Sequence, residues 1–269
     1  MSPFVGKVAV VSGAASGIGR ALCEALCAQG AVVYAADIRR DELLKVEREA
    51  KGMGSVRAVL LDVTNHGDFA RALSRVLEEQ GRLDLVFNNA GIGVVGDFRR
   101  IDLADMRRIV DVNLWGVVFG TKAAYDIMTR QGCGHIVNIA SSAGVMPVPM
   151  QSVYAMTKHA VVGLSRSLRA EAATYGVNVS IVLPGLVRTS FFRDAKVVGD
   201  YDYEREMREL PVRSITPQNA SEYILAGVRA NREIIAFPAS NRLVLWLFRC
   251  FPRLMAPLLA KATLRSLEP

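Results

Sequence analysis

Tyr154 and Lys158 define the chemistry to consider first. They lie four residues apart in Tyr154-Ala155-Met156-Thr157-Lys158, a spacing that puts both on one face of a helix. A phenol ionises near pH 10 and is a poor base at neutral pH. An ammonium about 4 Å away, at an effective dielectric near 20, would favour the phenolate by about 4 kcal/mol, or roughly three pKa units. The spacing therefore predicts a phenol close to working pH, where proton transfer is most effective. Thirteen residues earlier Ser141 ends an apolar run, in Asn138-Ile139-Ala140-Ser141-Ser142-Ala143-Gly144.

A second group of residues is suited to holding a phosphate. Ser12-Gly13-Ala14-Ala15-Ser16-Gly17-Ile18-Gly19 follows a short apolar run and opens a helical pattern, with the spacing G-x-x-x-G-x-G. Glycines permit a tight turn and close backbone approach, and a helix N-terminus offers N–H groups to a pyrophosphate. Gly13, Ser16, Gly17, Ile18 and Gly19 are the candidate contacts. Asp37 ends the next apolar run. A carboxylate there can accept both hydroxyls of an adenosine ribose and would repel a 2′-phosphate, which favours NAD over NADP. Arg39 and Arg40 follow at once; they either argue the other way or simply begin a solvated helix. Asp62-Val63 either meets an adenine edge or caps a helix.

The elements that must position these groups are legible in the pattern. Strand-like runs cover 7–12, 32–37, 56–61, 84–88, 135–140, 177–183 and 233–237. Helix-length segments fall between the first six, at about 18–29, 41–50, 67–80, 102–130 and 152–175. The runs are apolar nearly throughout, as strands covered on both faces are. This rhythm predicts an α/β, Rossmann-type doubly wound parallel sheet of about seven strands, with helices on both faces. Residues 1–238 read as one catalytic domain, with no internal repeat or dividing linker. Residues 185–216 form a long segment after the sixth strand, where such a sheet places a substrate lid. Thr216-Pro217 then reads as an N-cap with Pro at the first helical position. Residues 239–269 form a basic, apolar extension.

In this order and spacing, Gly13-x-x-x-Gly17-x-Gly19, Asn88-Asn89-Ala90-Gly91, Asn113, Ser141, Tyr154-x-x-x-Lys158 and Pro184-Gly185 resemble the short-chain dehydrogenase/reductase (SDR) family, over residues 5 to about 238. One departure is Ser12, where the family often has Thr; its hydroxyl can still bond across to the Asn-Ala-Gly turn. The resemblance implies a tetrad. Tyr154 is the general acid or base, and Lys158 lowers its pKa and holds the nicotinamide ribose. Ser141 bonds the substrate oxygen, and Asn113 exposes a main-chain carbonyl for a water relay. Asn89, Asp62 and Val63 are expected on the adenosine half, with Ala90 and Gly91 beside them. Pro184, Gly185, Val187 and Thr189 are expected at the nicotinamide end. The cofactor supplies the hydride. A homodimer or homotetramer built through 102–130 and 152–175 is also implied.

Val94, Val145, Met146, Val148, Met150, Leu186, Phe191 and Phe192 lie near the expected mouth. They suit a hydrophobic secondary alcohol or its ketone. The readings left beside this are an NADP-linked 3-oxoacyl-carrier ketoreductase and, in another class, a non-catalytic NAD-binding sensor or membrane-associated scaffold.

Composition narrows the remaining classes. The 269 residues carry a net charge of +7, with 51% hydrophobic and 22% charged residues, enough for a full core. Residues 229–269 hold seven Lys/Arg against two Glu, so the body is nearly neutral. That argues against nucleic acid, which selects a basic face on the folded domain. The tail from 240 to 265 instead mixes Trp246, Phe248, Phe251 and Met255 with arginines, and could lie in a lipid interface or cover the lid or a neighbouring subunit. No signal-peptide pattern and no spanning segment is visible. Four cysteines without C-x-x-C spacing and three histidines predict reduced thiols, a cytoplasmic setting and no metal cluster.

Overall fold

The computed structural model describes residues 2–199, 214–255 and 257. Its framework follows from the apolar runs. β1 (Val8–Ser12), β2 (Val32–Asp37), β3 (Ser55–Leu60), β4 (Leu85–Asn88), β6 (Gly134–Ile139), β7 (Val177–Pro184) and β9 (Ile234–Phe237) make one parallel sheet in the order β3-β2-β1-β4-β6-β7-β9. The predicted strands agree with these to within one residue or so. The chain leaves β1 toward β2 on one side and returns to β4 on the other, so the order reverses between β1 and β4. In such sheets the ligand crevice opens at the strands' carboxyl ends beside that reversal.

Each face of the sheet is covered. On one, α1 (Gly17–Ala28), α2 (Arg40–Glu49) and α8 (Pro217–Arg229) pack Leu22, Leu26, Leu43 and Ile224 over Val11, Val33 and Phe87. On the other, α3 (His66–Gln80), α5 (Gly116–Gln131) and α6 (Ser152–Ala173) pack Phe69, Leu73, Met128 and Ala172 over Tyr34, Val86 and Ile136. Thr216 caps α8 by accepting from the Asn219 N–H at 3.2 Å, with Pro217 at the first position, as the dipeptide predicts.

Three features depart from the sequence pattern. The single helix expected over 102–130 is α4 (Leu103–Val110) and α5, joined by a π-helical turn at Asp111–Trp115. The periodicity on either side is helical, so the extra residue in the turn leaves no apolar signature. A second, two-stranded parallel ribbon pairs β5 (Val94–Gly96) with β8 (Lys196–Val198); strands of three residues are too short to show a period. The expected lid contributes α7 (Phe191–Asp194) and β8, while its residues 200–213, with Tyr201-Asp202-Tyr203, lie outside the described residues. The extension begins as a helix, α9 (Ala239–Cys250); 256 and 258–269, with Lys261 and Arg265, also lie outside them.

Candidate active site

The glycine loop leaves β1 and enters α1 under tight constraint. Gly13 has φ +65°, and a Cβ there would stand 2.7 Å from the Ala90 Cα. A Cβ on Gly19 would stand 2.2 Å from the Gly13 carbonyl oxygen. Gly17 has φ +55° and faces the Thr189 methyl group. Ser16 precedes the helix in extended conformation and makes no side-chain cap, and Gly17, Ile18 and Gly19 form the first turn, which holds no acidic residue. A helix start left uncapped, in a loop that has room only for glycine, fits the diphosphate of a dinucleotide.

Strand β4 is tied to this loop by one hydroxyl. Ser12 Oγ accepts from the N–H groups of Asn89 at 3.0 Å and Ala90 at 3.1 Å, and lies 3.3 Å from the Phe87 carbonyl. Asn89 Nδ2 returns a bond to the Ser12 carbonyl at 2.9 Å. Serine thus makes the crossing anticipated for it. Asp37 is buried at the end of β2, where one oxygen accepts from the Ala15 N–H at 3.1 Å and the other from the Arg39 N–H at 3.0 Å. The exposed Arg39 side chain reaches back over this carboxylate and donates to Ser16 Oγ at 2.8 Å. Asp62 is exposed and accepts from the Thr64 N–H and hydroxyl, at 2.9 and 2.8 Å. The cap of α3 is Asn65. Val63 is buried against Gly116.

At the other end of the crevice, Asn113 is fully buried in the π-helical turn. Its amide accepts from the Ile92 N–H at 2.8 Å and donates to the Ile92 carbonyl at 2.9 Å, which fastens the segment after Gly91. Ser141 follows β6 and accepts from the Ala143 N–H at 3.2 Å. The Ser141 hydroxyl is near enough to the Tyr154 phenol to favour its ionised form. Tyr154 and Lys158 both lie on the buried face of α6, with the Lys158 Nζ 5.6 Å from the centre of the Tyr154 ring. The helix therefore brings the pair into one compartment, as the spacing predicts.

The expected fall in the phenol pKa is not what this arrangement produces. Burial pushes Tyr154 up to about 12, opposed only by the nearby Ser141 hydroxyl. Lys158 Nζ donates to the Ile139 carbonyl at 3.0 Å and not to the phenol, and burial pulls it down to about 8. Charge attraction favours the phenolate, but desolvation of both groups outweighs it here. The pair therefore loses its first proton near pH 8. The state that results is mainly amine–phenol, with ammonium–phenolate, which holds the same number of protons, as its minor form.

Pro184 and Gly185 close β7, and the Pro184 carbonyl accepts from Ser142 Oγ at 2.7 Å. Val187 is buried and bridges to Ile215, and Thr189 Oγ1 accepts from the Phe191 N–H at 3.3 Å. The Phe191 ring lies 5.7 Å from that of Tyr154. Val94, Val148 and Phe191 join the apolar cluster that contains Tyr154, whereas Met150 and Phe192 pack on a neighbouring cluster with Val95. Val145 is exposed. Ile92 and Met106, which carry no motif, complete the cluster around Tyr154.

The profile of the short chain dehydrogenase family matches residues 7–197. The chain belongs to the short-chain dehydrogenase/reductase family. This SDR enzyme is 39% identical over 233 residues to "Putative oxidoreductase SadH" of Mycobacterium tuberculosis, covering 85% of this chain and 84% of that protein. It is 35% identical to the 3-oxoacyl-[acyl-carrier-protein] reductase FabG of Thermotoga maritima (68% and 75% covered) and 38% identical to the mitochondrial borneol dehydrogenase of Lavandula x intermedia (70% and 72%). Among solved structures it resembles an SDR from Burkholderia phymatum in complex with NAD, with a TM-score of 0.84 at 27% identity, covering 95% and 97% of the two chains. It also resembles a Sphingobium yanoikuyae short-chain dehydrogenase in complex with NADPH, at 0.78 and 25%, covering 93% and 95%. An oxidoreductase of this family, with related structures that carry either nucleotide, is what sequence and fold establish.

Proposed function

We propose that this SDR enzyme interconverts a hydrophobic secondary alcohol and its ketone, with NAD(H) as hydride carrier. The observation that carries the reading is a buried phenol with a serine hydroxyl, a buried amine and a phenylalanine ring gathered around it. In reduction Tyr154 donates its proton to the carbonyl oxygen; in oxidation it takes the proton from the alcohol. Ser141 bonds the same oxygen and holds it within reach of the phenol. Lys158 shares the pair's proton and supports the phenolate, and the Asn113 clamp keeps the wall of the crevice in place. The bound nicotinamide supplies or accepts the hydride.

Asp37 supports NAD, since a carboxylate at the end of β2 can accept the ribose hydroxyls and would repel a 2′-phosphate. The apolar ring of Ile92, Val94, Met106, Val148 and Phe191 supports a lipophilic substrate, and a relative named for borneol is consistent with one. The test is a screen of lipophilic secondary alcohols and hydroxyacyl thioesters, each with NAD and NADP. Tyr154→Phe is expected to lower turnover by about 10²- to 10⁴-fold while the dinucleotide still binds. Oxidation should rise through about pH 8, where the pair loses its first proton, and reduction should fall through the same range. Turnover of thioesters with NADP alone would favour the ketoreductase reading. Unchanged properties in Tyr154→Phe would favour a sensor.

A second reading concerns the extension. α9 exposes Leu243 and Trp246 beside Arg242 and Arg249, and Phe251 and Leu254 continue the exposed apolar surface beside Arg253. This mixture supports peripheral contact with an anionic lipid surface. Trp246→Ala is expected to weaken co-sedimentation with phosphatidylserine vesicles; equal binding to neutral vesicles would exclude the electrostatic part. Assembly through α5 and α6 is the corresponding proposal for a homodimer or homotetramer.

A further inference from the structure

We infer that Asn241, in the first turn of the C-terminal helix, is a positioning residue for the Ser141 segment. The inference rests on the reading of Ser141 as the group that bonds the substrate oxygen. Asn241 is a polar side chain only 7% exposed, at the place where β6, β7 and β9 end together. The Phe237 carbonyl already accepts from the Gly185 N–H at 2.8 Å, and a carbonyl oxygen has a second lone pair that a side-chain donor can use. Asn241 Nδ2 adds such a donor, to the Phe237 carbonyl at 3.3 Å and to the Leu183 carbonyl at 3.1 Å.

Two carbonyls facing one end of the amide determine its orientation, because an oxygen there would meet only acceptors. Asn241 Oδ1 must then point the other way, and there it meets Ser142 Oγ at 2.9 Å. Ser142 Oγ has one proton for two acceptors, this oxygen and the Pro184 carbonyl at 2.7 Å. Ser142 is covalently next to Ser141 and opens the 3-10 turn whose Ala143 N–H bonds the Ser141 hydroxyl. One amide thus joins the end of β7, the end of β9 and the serine segment. Gly185 makes the approach possible: a Cβ there would stand 3.2 Å from the Asn241 Cβ.

The helix does not depend on this amide to stay in place. Phe248 is buried, and Leu245 packs on the cluster of Val117, Val161, Ile181 and Leu183. Loss of the Asn241 side chain should therefore free the serine segment without releasing α9.

The experiment compares full-length Asn241→Ala, Ser142→Ala and the double variant with wild type. It reads steady-state kinetics, thermal melting and amide hydrogen exchange over 141–146. Asn241→Ala is expected to melt cooperatively, to lose about tenfold or more in kcat with the dinucleotide KM within about twofold, and to exchange faster over 141–146. Ser142→Ala should reproduce both changes, and the double variant should be no worse than the poorer single, since both remove one link. Unchanged exchange and kcat in a folded Asn241→Ala, or additive losses in the double variant, overturn the inference. If Asn241→Ala does not fold, Ser142→Ala decides, because it cuts the same link from the other side. A wild type that turns over none of the alcohols while exchange still rises in both variants would sink the proposed reaction and leave the positioning role standing.

Discussion

The two halves of the crevice are built by different means. The half expected to hold the dinucleotide's diphosphate and adenosine is made mostly of backbone. Glycines 13, 17 and 19, the Ser12 crossing to Asn89 and Ala90, and the Asp37 bond to the Ala15 N–H leave little freedom for any side chain. The substrate half is made of side chains brought from far apart. Phe191 comes from α7, Val94 from the small ribbon, Tyr154 from α6 and Ile92 from the loop after β4. Backbone contacts leave few substitutions open, whereas apolar side chains can be exchanged for others of similar volume. The contrast suggests that the first half preserves the chemistry shared by the family while the second sets which alcohol is accepted.

Substitutions in each half can break or sharpen this contrast. Gly13→Ala should act most strongly: a positive φ and a Cβ close to Ala90 are expected to cost about 2–4 kcal/mol, with dinucleotide binding lost in step. Denaturant melts with a parallel dinucleotide titration measure both; normal stability and affinity would erase the distinction. Phe191→Ala should remove a wall of the substrate half only, lowering kcat/KM for a lipophilic alcohol by about tenfold and leaving dinucleotide affinity within about twofold. Comparable losses in both would show that the halves are not separable. Arg39→Ala should have the smallest effect. Its exposed guanidinium spans Asp37 and Ser16, so NADP binding should weaken by about two- to fivefold and NAD binding hardly change. Isothermal titration with each nucleotide decides, and an equal change in both would assign Arg39 a purely structural part.

The same contrast separates what could be read in the residues from what could not. Strands buried on both faces announce themselves as apolar runs, so all seven strands of the main sheet were legible near their ends. The glycine loop and the i, i+4 pair were legible because each lies within a few residues of sequence. The ribbon of β5 and β8 was not, since three residues show no period. The Ser142–Asn241 bond spans 99 residues and has no local pattern. The upward shift of the Tyr154 pKa is not legible for another reason. Spacing reports the neighbouring charge, but burial, the larger contribution here, depends on Phe191, Val94 and the rest of the fold.

The π-helical turn at Asp111–Trp115 has a consequence for how insertions and deletions would be tolerated. Each residue of an α-helix turns the chain by about 100°. The wider turn therefore sets α4 and α5 out of phase. Ile109, before it, faces the cluster around Tyr154, while Ala124 and Met128, after it, face the sheet. Deleting one residue between 111 and 115 would restore a continuous helical ladder, yet it would swing one of those two faces into water. A better-formed helix would make a worse protein.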